Sequence, residues 1–380
     1  MLTLTKKILT NNVLNIQKRY IKHIYVNDVV EKIYTKHDYN INTCKNILKN
    51  ESLCVIGYGP QGKSQALNLK DNGFNVKLGL RYGKSWEKAI KDGWVENKNL
   101  FLINDAVKKS TIIQFLLSDA GQIKQWLNIE PHLTKNKTLY FSHGFALTFN
   151  NLTNIIIPNN IDVIMVAPKG SGLTIRNNFL NKTGFNSSFA IHQNYTKNAF
   201  EKCMAIAFGI GNNYVFETTF KNEVYSDLTG EHCVLMGLIH AAFKTQYELL
   251  RNKGHSPLEA YNETVEEALY SLYPIISENG MDWLFKNCST TAQRGALDWS
   301  TKFEKVLLPV MEQCYNNVIN GIEAKNVIKK NNDPDYKNKL NDELFDISQH
   351  ELWKVANECR NLNINDDDNI NYDNLPLFTL

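Results

Sequence analysis

Leu53-Cys54-Val55-Ile56-Gly57-Tyr58-Gly59-Pro60-Gln61-Gly62 is the stretch that decides the fold. Four consecutive apolar residues suit a short strand buried on both faces, and a G-x-G-x-x-G run comes directly after them. Pro60 is pre-set for the first position of a helix. With a strand before and a helix after, the glycines read as a dinucleotide cradle: they let the backbone turn tightly and approach a pyrophosphate, whose charge the helix N-terminus stabilises. Gly57, Tyr58, Gly59, Pro60, Gln61 and Gly62 are therefore candidate cofactor-binding residues.

Downstream, short β-rich runs alternate with helix-like segments: Asn75–Leu80, Thr111–Leu117, Thr138–Ser142, Asp162–Ala167, Ser187–Ile191 and Tyr214–Phe216. Such alternation predicts an α/β domain with a doubly wound parallel sheet. After about Thr218 the strand-like runs stop and long helical stretches take over. One helix start is marked by Ser256-Pro257-Leu258-Glu259, with a serine cap, a proline at the first position and a glutamate three residues on. Its later part, Ala268 to Tyr273, is apolar on nearly every side and predicts a buried helix. The chain thus divides into a presequence and N-terminal extension (residues 1–45), a nucleotide-binding domain (46–217), a helical domain (218–360) and an acidic, disordered tail (361–380).

The end of the second predicted strand discriminates between cofactors. An NAD site usually has a carboxylate about 20 residues after the glycines to hold the ribose 2′-hydroxyl. Here Arg81, Lys84 and Ser85 stand in Gly79-Leu80-Arg81-Tyr82-Gly83-Lys84-Ser85-Trp86, with no acid, which suits the 2′-phosphate of NADPH. In the second half, Asp227 and Glu231 lie four apart, as do Glu263 and Glu267, a spacing that puts each pair on one helix face. Like charges so placed destabilise an exposed helix by about 0.2–0.5 kcal/mol per pair, so a cation is expected between them. An all-oxygen ligand set suits Mg²⁺, and two such ions would clamp a substrate with adjacent oxygens. Taken alone, acidic pairs like these are commonly solvated helix faces.

The composition is ordinary for a globular protein of 380 residues: 43% hydrophobic and 21% charged, with 42 cations against 39 acids. No global basic field points to nucleic acid, and no run approaches the roughly 20 apolar residues of a membrane span. The seven cysteines show no zinc-type spacing and read as reduced thiols. Residues 1–27 carry Lys6, Lys7, Lys18, Arg19, Lys22 and His23 with no acid before Asp28, interleaved with Leu2, Leu4, Ile8, Leu9, Val13, Leu14 and Ile16. That pattern predicts a presequence for the mitochondrial matrix; the absence of serine before Ser52 disfavours a chloroplast address.

Several further motifs, together with these, resemble the ketol-acid reductoisomerases over roughly Leu53 to Val355. Tyr140-Phe141-Ser142-His143-Gly144-Phe145 is similar to the family's histidine loop, and Val166-Ala167-Pro168-Lys169-Gly170-Ser171-Gly172 to its lysine loop. Leu117-Ser118-Asp119-Ala120-Gly121-Gln122 resembles its second cofactor loop, Ser289 the substrate-binding serine, and Asp227, Glu231, Glu263 and Glu267 the metal carboxylates. Singly, His143, Lys169 and Ser289 would read as a strand-end polar residue, a surface cation and a helix-cap hydroxyl; their shared order carries the resemblance. Pro60 departs from the serine common in the family.

The resemblance implies a Rossmann-type domain followed by a knotted helical domain. It also implies NADPH and two Mg²⁺ per site as cofactors, with 2-acetolactate and 2-aceto-2-hydroxybutyrate as substrates. The reaction would be an alkyl shift followed by reduction to a 2,3-dihydroxy acid. His143, Lys169 and Glu267 are the expected catalytic residues, Ser289 the substrate contact, and Asp119, Gln122 and Gly172 further cofactor contacts. With one helical domain per chain, the resemblance implies an obligate homodimer in which Glu263, Glu267 and Ser289 reach the partner's Asp227. The rival reading, a metal-independent NADPH dehydrogenase, leaves the four carboxylates unexplained.

Overall fold

A computed structural model describes residues 22–362. Residues 1–21 of the expected presequence and extension, and residues 363–380 of the expected acidic tail, lie outside the described residues.

The strands are β1 (Lys22–Val26), β2 (Val29–Thr35), β3 (Leu53–Ile56), β4 (Val76–Leu80), β5 (Leu100–Leu102), β6 (Ile112–Phe115), β7 (Thr138–Phe141), β8 (Asp162–Pro168), β9 (Phe185–Gln193) and β10 (Asn212–Glu217). They form one sheet in the order β1-β2-β10-β9-β8-β7-β6-β3-β4-β5. From β5 to β8 all neighbours are parallel. The chain winds from β3 outward to β5, then returns to lay β6, β7 and β8 on the other side. The switch point therefore falls between β3 and β6, where open α/β sheets hold their ligands. β3, β6 and β7 are buried at every residue, the reason their sequences are almost continuously apolar rather than alternating.

The sheet is mixed, not wholly parallel. β9 runs antiparallel to β8, and β10 is parallel to β9 but antiparallel to β2. Residues 22–35, expected within the N-terminal extension, instead make a hairpin that lengthens the sheet through β2. Its two-residue turn is Asn27-Asp28, with Asn27 in the left-handed region at φ 52°.

Contacts divide the chain into two units: residues up to Gly144 with Ile157–Phe220, and Phe145–Ile156 with Lys221 onward. The insert Phe145–Ile156, placed by strand–helix alternation in the nucleotide domain, belongs to the second unit because Phe145 and Phe149 are buried with Val224 and Ala324. The second unit is helical, and its longest helix runs Thr290–Ile319. No helix among the described residues is long and apolar enough to cross a membrane.

Ser256 caps its helix as expected, accepting from Glu259 N–H at 3.2 Å. The expectation of a buried helix beyond it fails: Leu269, Tyr270 and Tyr273 are exposed, Tyr270 at 63%. Nearly all-round apolarity marks surface that must be covered, but the single chain leaves this stretch open. Trp299, Phe303, Val306, Leu308 and Val310 on the long helix are open as well.

Candidate active site

The cradle forms where β3 ends. Gly57 has φ +104°, and a Cβ there would lie 2.5 Å from Leu116 O at the end of β6; one on Gly62 would lie 2.4 Å from Gly57 O. Both positions thus require glycine on steric grounds. Gly59 caps the helix Pro60–Asp71 and has open space where a Cβ would be. Pro60 has no N–H and Lys63 N–H bonds Gly59 O, so Gln61 and Gly62 supply the first donors at this helix end. This is a fit for a dinucleotide pyrophosphate: an open backbone approach in front of an N-terminal dipole.

Several predicted contacts have side chains already committed within the protein. Tyr58 is buried, its hydroxyl donating to Asp92 Oδ2 at 2.8 Å and accepting from Trp94 Nε1 at 3.0 Å. Burial first, then Asp92, push its phenol well above the ordinary range, so it stays neutral. Lys63 pairs with the same carboxylate at 2.9 Å. Gln61 Nε2 donates to Gly170 O at 3.0 Å, and the buried Gln122 amide donates to Phe115 O and Leu117 O. Gly172 is a packing residue: a Cβ there would lie 2.2 Å from Pro60 C and O, and Ser64 Oγ donates to its carbonyl at 2.6 Å. These contacts hold the cradle in shape, and its open approach is at the backbone of Gly59.

Arg81, Lys84 and Ser85 are exposed at the end of β4, the last two opening the helix Lys84–Lys91 after Gly83 at φ +131°. Asp119 opens the helix Asp119–Ile129, which Ser118 caps by accepting from Gly121 N–H. His143 follows β7 and Lys169 follows β8, with Lys169 N–H donating to Asn186 O at 2.8 Å. Because β3, β4, β6, β7 and β8 are parallel, every one of these groups lies along one carboxyl edge.

In the second unit, Asp227 sits on the helix Phe220–Gly230, and Glu231 begins a π-helical turn, Glu231–Leu235, in which Cys233 leaves helical geometry. Glu263 lies within the π-helical turn Asn262–Glu266, and Glu267 comes directly after it. π-turns cost regularity and concentrate at functional sites. Asp227 is half-buried; Glu231, Glu263 and Glu267 are exposed. No three of these four carboxylates come within 4.8 Å of one another among the described residues. The four oxygen donors fit Mg²⁺ by chemistry.

Sequence reasoning missed Glu223. It is buried one turn before Asp227, with its carboxylate within 4.8 Å of that of Asp227. The signal was present, since Glu223, Asp227 and Glu231 extend the four-residue spacing by one turn. Ser289 caps the helix Thr290–Ile319, its Oγ accepting from Ala292 N–H at 3.2 Å. The cap uses the oxygen as acceptor and leaves the hydroxyl proton able to donate.

Two family models match the chain: acetohydroxy acid isomeroreductase, NADPH-binding domain, over residues 47–215, and ketol-acid reductoisomerase, C-terminal domain, over residues 220–364. The mitochondrial ketol-acid reductoisomerase of Neurospora crassa is 51% identical over 333 residues, covering 87% of this chain and 83% of its own. A ketol-acid reductoisomerase (NAD(+)) of Desulfosudis oleivorans is 50% identical, covering 88% of this chain and 95% of its own. The structure of an NADH-preferring ketol-acid reductoisomerase from an uncultured archean aligns with a TM-score of 0.76 and 31% identity, over 87% of this chain and 98% of that one. Matched by both family models across its two halves and by relatives half identical to it, the chain belongs to the ketol-acid reductoisomerase family of branched-chain amino acid biosynthesis.

Proposed function

We propose that the chain is an NADPH- and Mg²⁺-dependent reductoisomerase that converts 2-acetolactate and 2-aceto-2-hydroxybutyrate to 2,3-dihydroxy acids. The observation that carries this reading is the pairing of a dinucleotide cradle with four carboxylates, Asp227, Glu231, Glu263 and Glu267, on interrupted helices. A reductase acting on a simple ketone has no use for such a donor set. When bound, Mg²⁺ supplies Lewis acidity toward the substrate oxygens and the nucleotide supplies the hydride.

The remaining work falls to the chain. Asp227 and Glu231 hold one part of the metal cluster and Glu263 the other, while Glu267 also handles a proton. Ser289 donates its hydroxyl hydrogen to the substrate carboxylate, and Lys169 and His143 orient the site and move protons beside the nicotinamide.

Relatives of similar identity divide between mitochondrial and NAD-named enzymes. The assignment of NADPH therefore rests on Arg81, Lys84 and Ser85, two cations and a hydroxyl with no carboxylate among them. Dimer formation is supported by the uncovered apolar surface of the second unit, with Phe303 57% exposed; monomers rarely leave so much apolar surface open to water. The basic N-terminus and the mitochondrial relative support matrix import.

Incubation with 2-acetolactate, Mg²⁺ and NADPH tests the reading through product identity. The expected product is the rearranged 2,3-dihydroxy acid, formed one per NADPH oxidised. Reduction without migration of the methyl group would contradict it.

A further inference from the structure

Gln65 lies on the helix Pro60–Asp71, just beyond the cradle, and is completely buried. Its amide closes a ring of hydrogen bonds. Gln65 Nε2 donates to Ser142 Oγ at 2.8 Å, Ser142 Oγ donates to the Tyr140 hydroxyl at 3.3 Å, and that hydroxyl donates to Gln65 Oε1 at 2.8 Å. Within the ring each group can give one hydrogen and accept one, the arrangement in which neighbouring bonds polarise each other; the Tyr140 hydroxyl also lies 3.2 Å from Val166 O, a second acceptor for its hydrogen. The second Gln65 N–H goes to Gln61 Oε1 at 3.2 Å, and Gln61 Nε2 continues to Gly170 O. Tyr140 is also fully buried, and burial holds its phenol neutral.

The ends of this network decide its meaning. Ser142 is the residue before His143, Gly170 the residue after Lys169, and Gln61 stands in the cradle. We propose that Gln65 is a positioning residue, whose amide couples the seating of the nucleotide to the placement of the loops that carry His143 and Lys169. The inference rests on the roles proposed for those two residues. Gln65 is fully buried and acts through the two loops, which its amide ties to the cradle. A shift of a loop by about 1 Å can cost on the order of a hundredfold in rate, so a network of this size has leverage on kcat.

Gln65→Leu removes every side-chain bond of the amide at similar volume. The expected result is a loss of kcat on the order of tenfold or more, larger than any change in the NADPH dissociation constant, with a lower melting temperature because Ser142 and Tyr140 lose a buried partner. Gln65→Glu gives a readout that a merely structural role would not move. Its ionised carboxylate accepts but cannot donate, whereas the protonated acid has the donor and acceptor of the amide and restores the ring. Its kcat relative to wild type should therefore rise as pH falls, and burial places that titration above the usual carboxylate range. Wild-type kcat in Gln65→Leu, or a flat Gln65→Glu to wild-type ratio across pH, would overturn the proposal. So would a fall in kcat no larger than the loss of NADPH affinity. His143→Ala and Lys169→Ala separate the two layers: full activity in both defeats the underlying reading, whereas loss in both beside a normal Gln65→Leu defeats the coupling alone.

Discussion

Arg81, Lys84 and Ser85 are exposed side chains at one strand end, and the proposed preference for NADPH rests on these two cations and one hydroxyl. Ser85→Asp places a carboxylate where the ribose 2′-substituent is expected. It should lower kcat/KM for NADPH about tenfold or more, the effect of losing one charge-assisted hydrogen bond of about 1.5–3 kcal/mol, while sparing NADH. Steady-state kinetics with both nucleotides check this; an unchanged ratio would remove these residues from the site. Residue types at fixed spacing made this group, the glycines and the four carboxylates legible in the sequence alone. What could not be read was which side chains were already in use. Gln61, Gln122 and Tyr58 look like contacts in a string of letters, but the two amide nitrogens and the phenol hydroxyl already bond within the protein. Such partners are distant in sequence, as in Gln61 with Gly170, and no local pattern announces them.

Among elements, the helices Pro60–Asp71 and Gly172–Leu180 meet backbone to backbone at Pro60 and Gly172. Gly172→Ala drives a methyl group into backbone atoms 2.2 Å away, and overpacking of this kind costs about 1–3 kcal/mol. Denaturant unfolding should show a loss of that size together with weaker nucleotide binding, since Pro60 opens the cradle; unchanged values for both would mean the contact is absent in solution. The same crowding explains why proline is tolerated at position 60: it starts the helix and packs against a glycine. The central strands were legible because burial on both faces leaves long apolar runs. The hairpin of β1 and β2 was not, because all five residues of β1 are exposed and carry the basic character of a presequence. Its clue was Asn27-Asp28 between valines, a two-residue turn. The antiparallel course of β9 had no clue in the sequence, since direction in a sheet comes from the connection and not from composition.

For the whole molecule, an all-round apolar helix segment predicted burial, and the single chain leaves it in water. Together with the exposed Trp299, Phe303 and Val306, that open segment is the apolar surface on which the proposed dimer rests. If each site takes Asp227 from one protomer and Glu263 from its partner, two inactive variants should complement. Mixing Asp227→Asn with Glu263→Gln after dissociation gives half hybrids, each with one intact site, so about a quarter of wild-type activity returns. No recovery after verified subunit exchange would mean that each chain builds its site alone.

The most direct measurement tracks NADPH absorbance with 2-acetolactate, in Mg²⁺ and in EDTA, on the wild type and on Glu263→Gln. Turnover that requires Mg²⁺ and is lost in the variant is the predicted result. Turnover that persists in EDTA, or survives in Glu263→Gln, would contradict a metal-dependent reductoisomerase and leave a simple nicotinamide-dependent dehydrogenase.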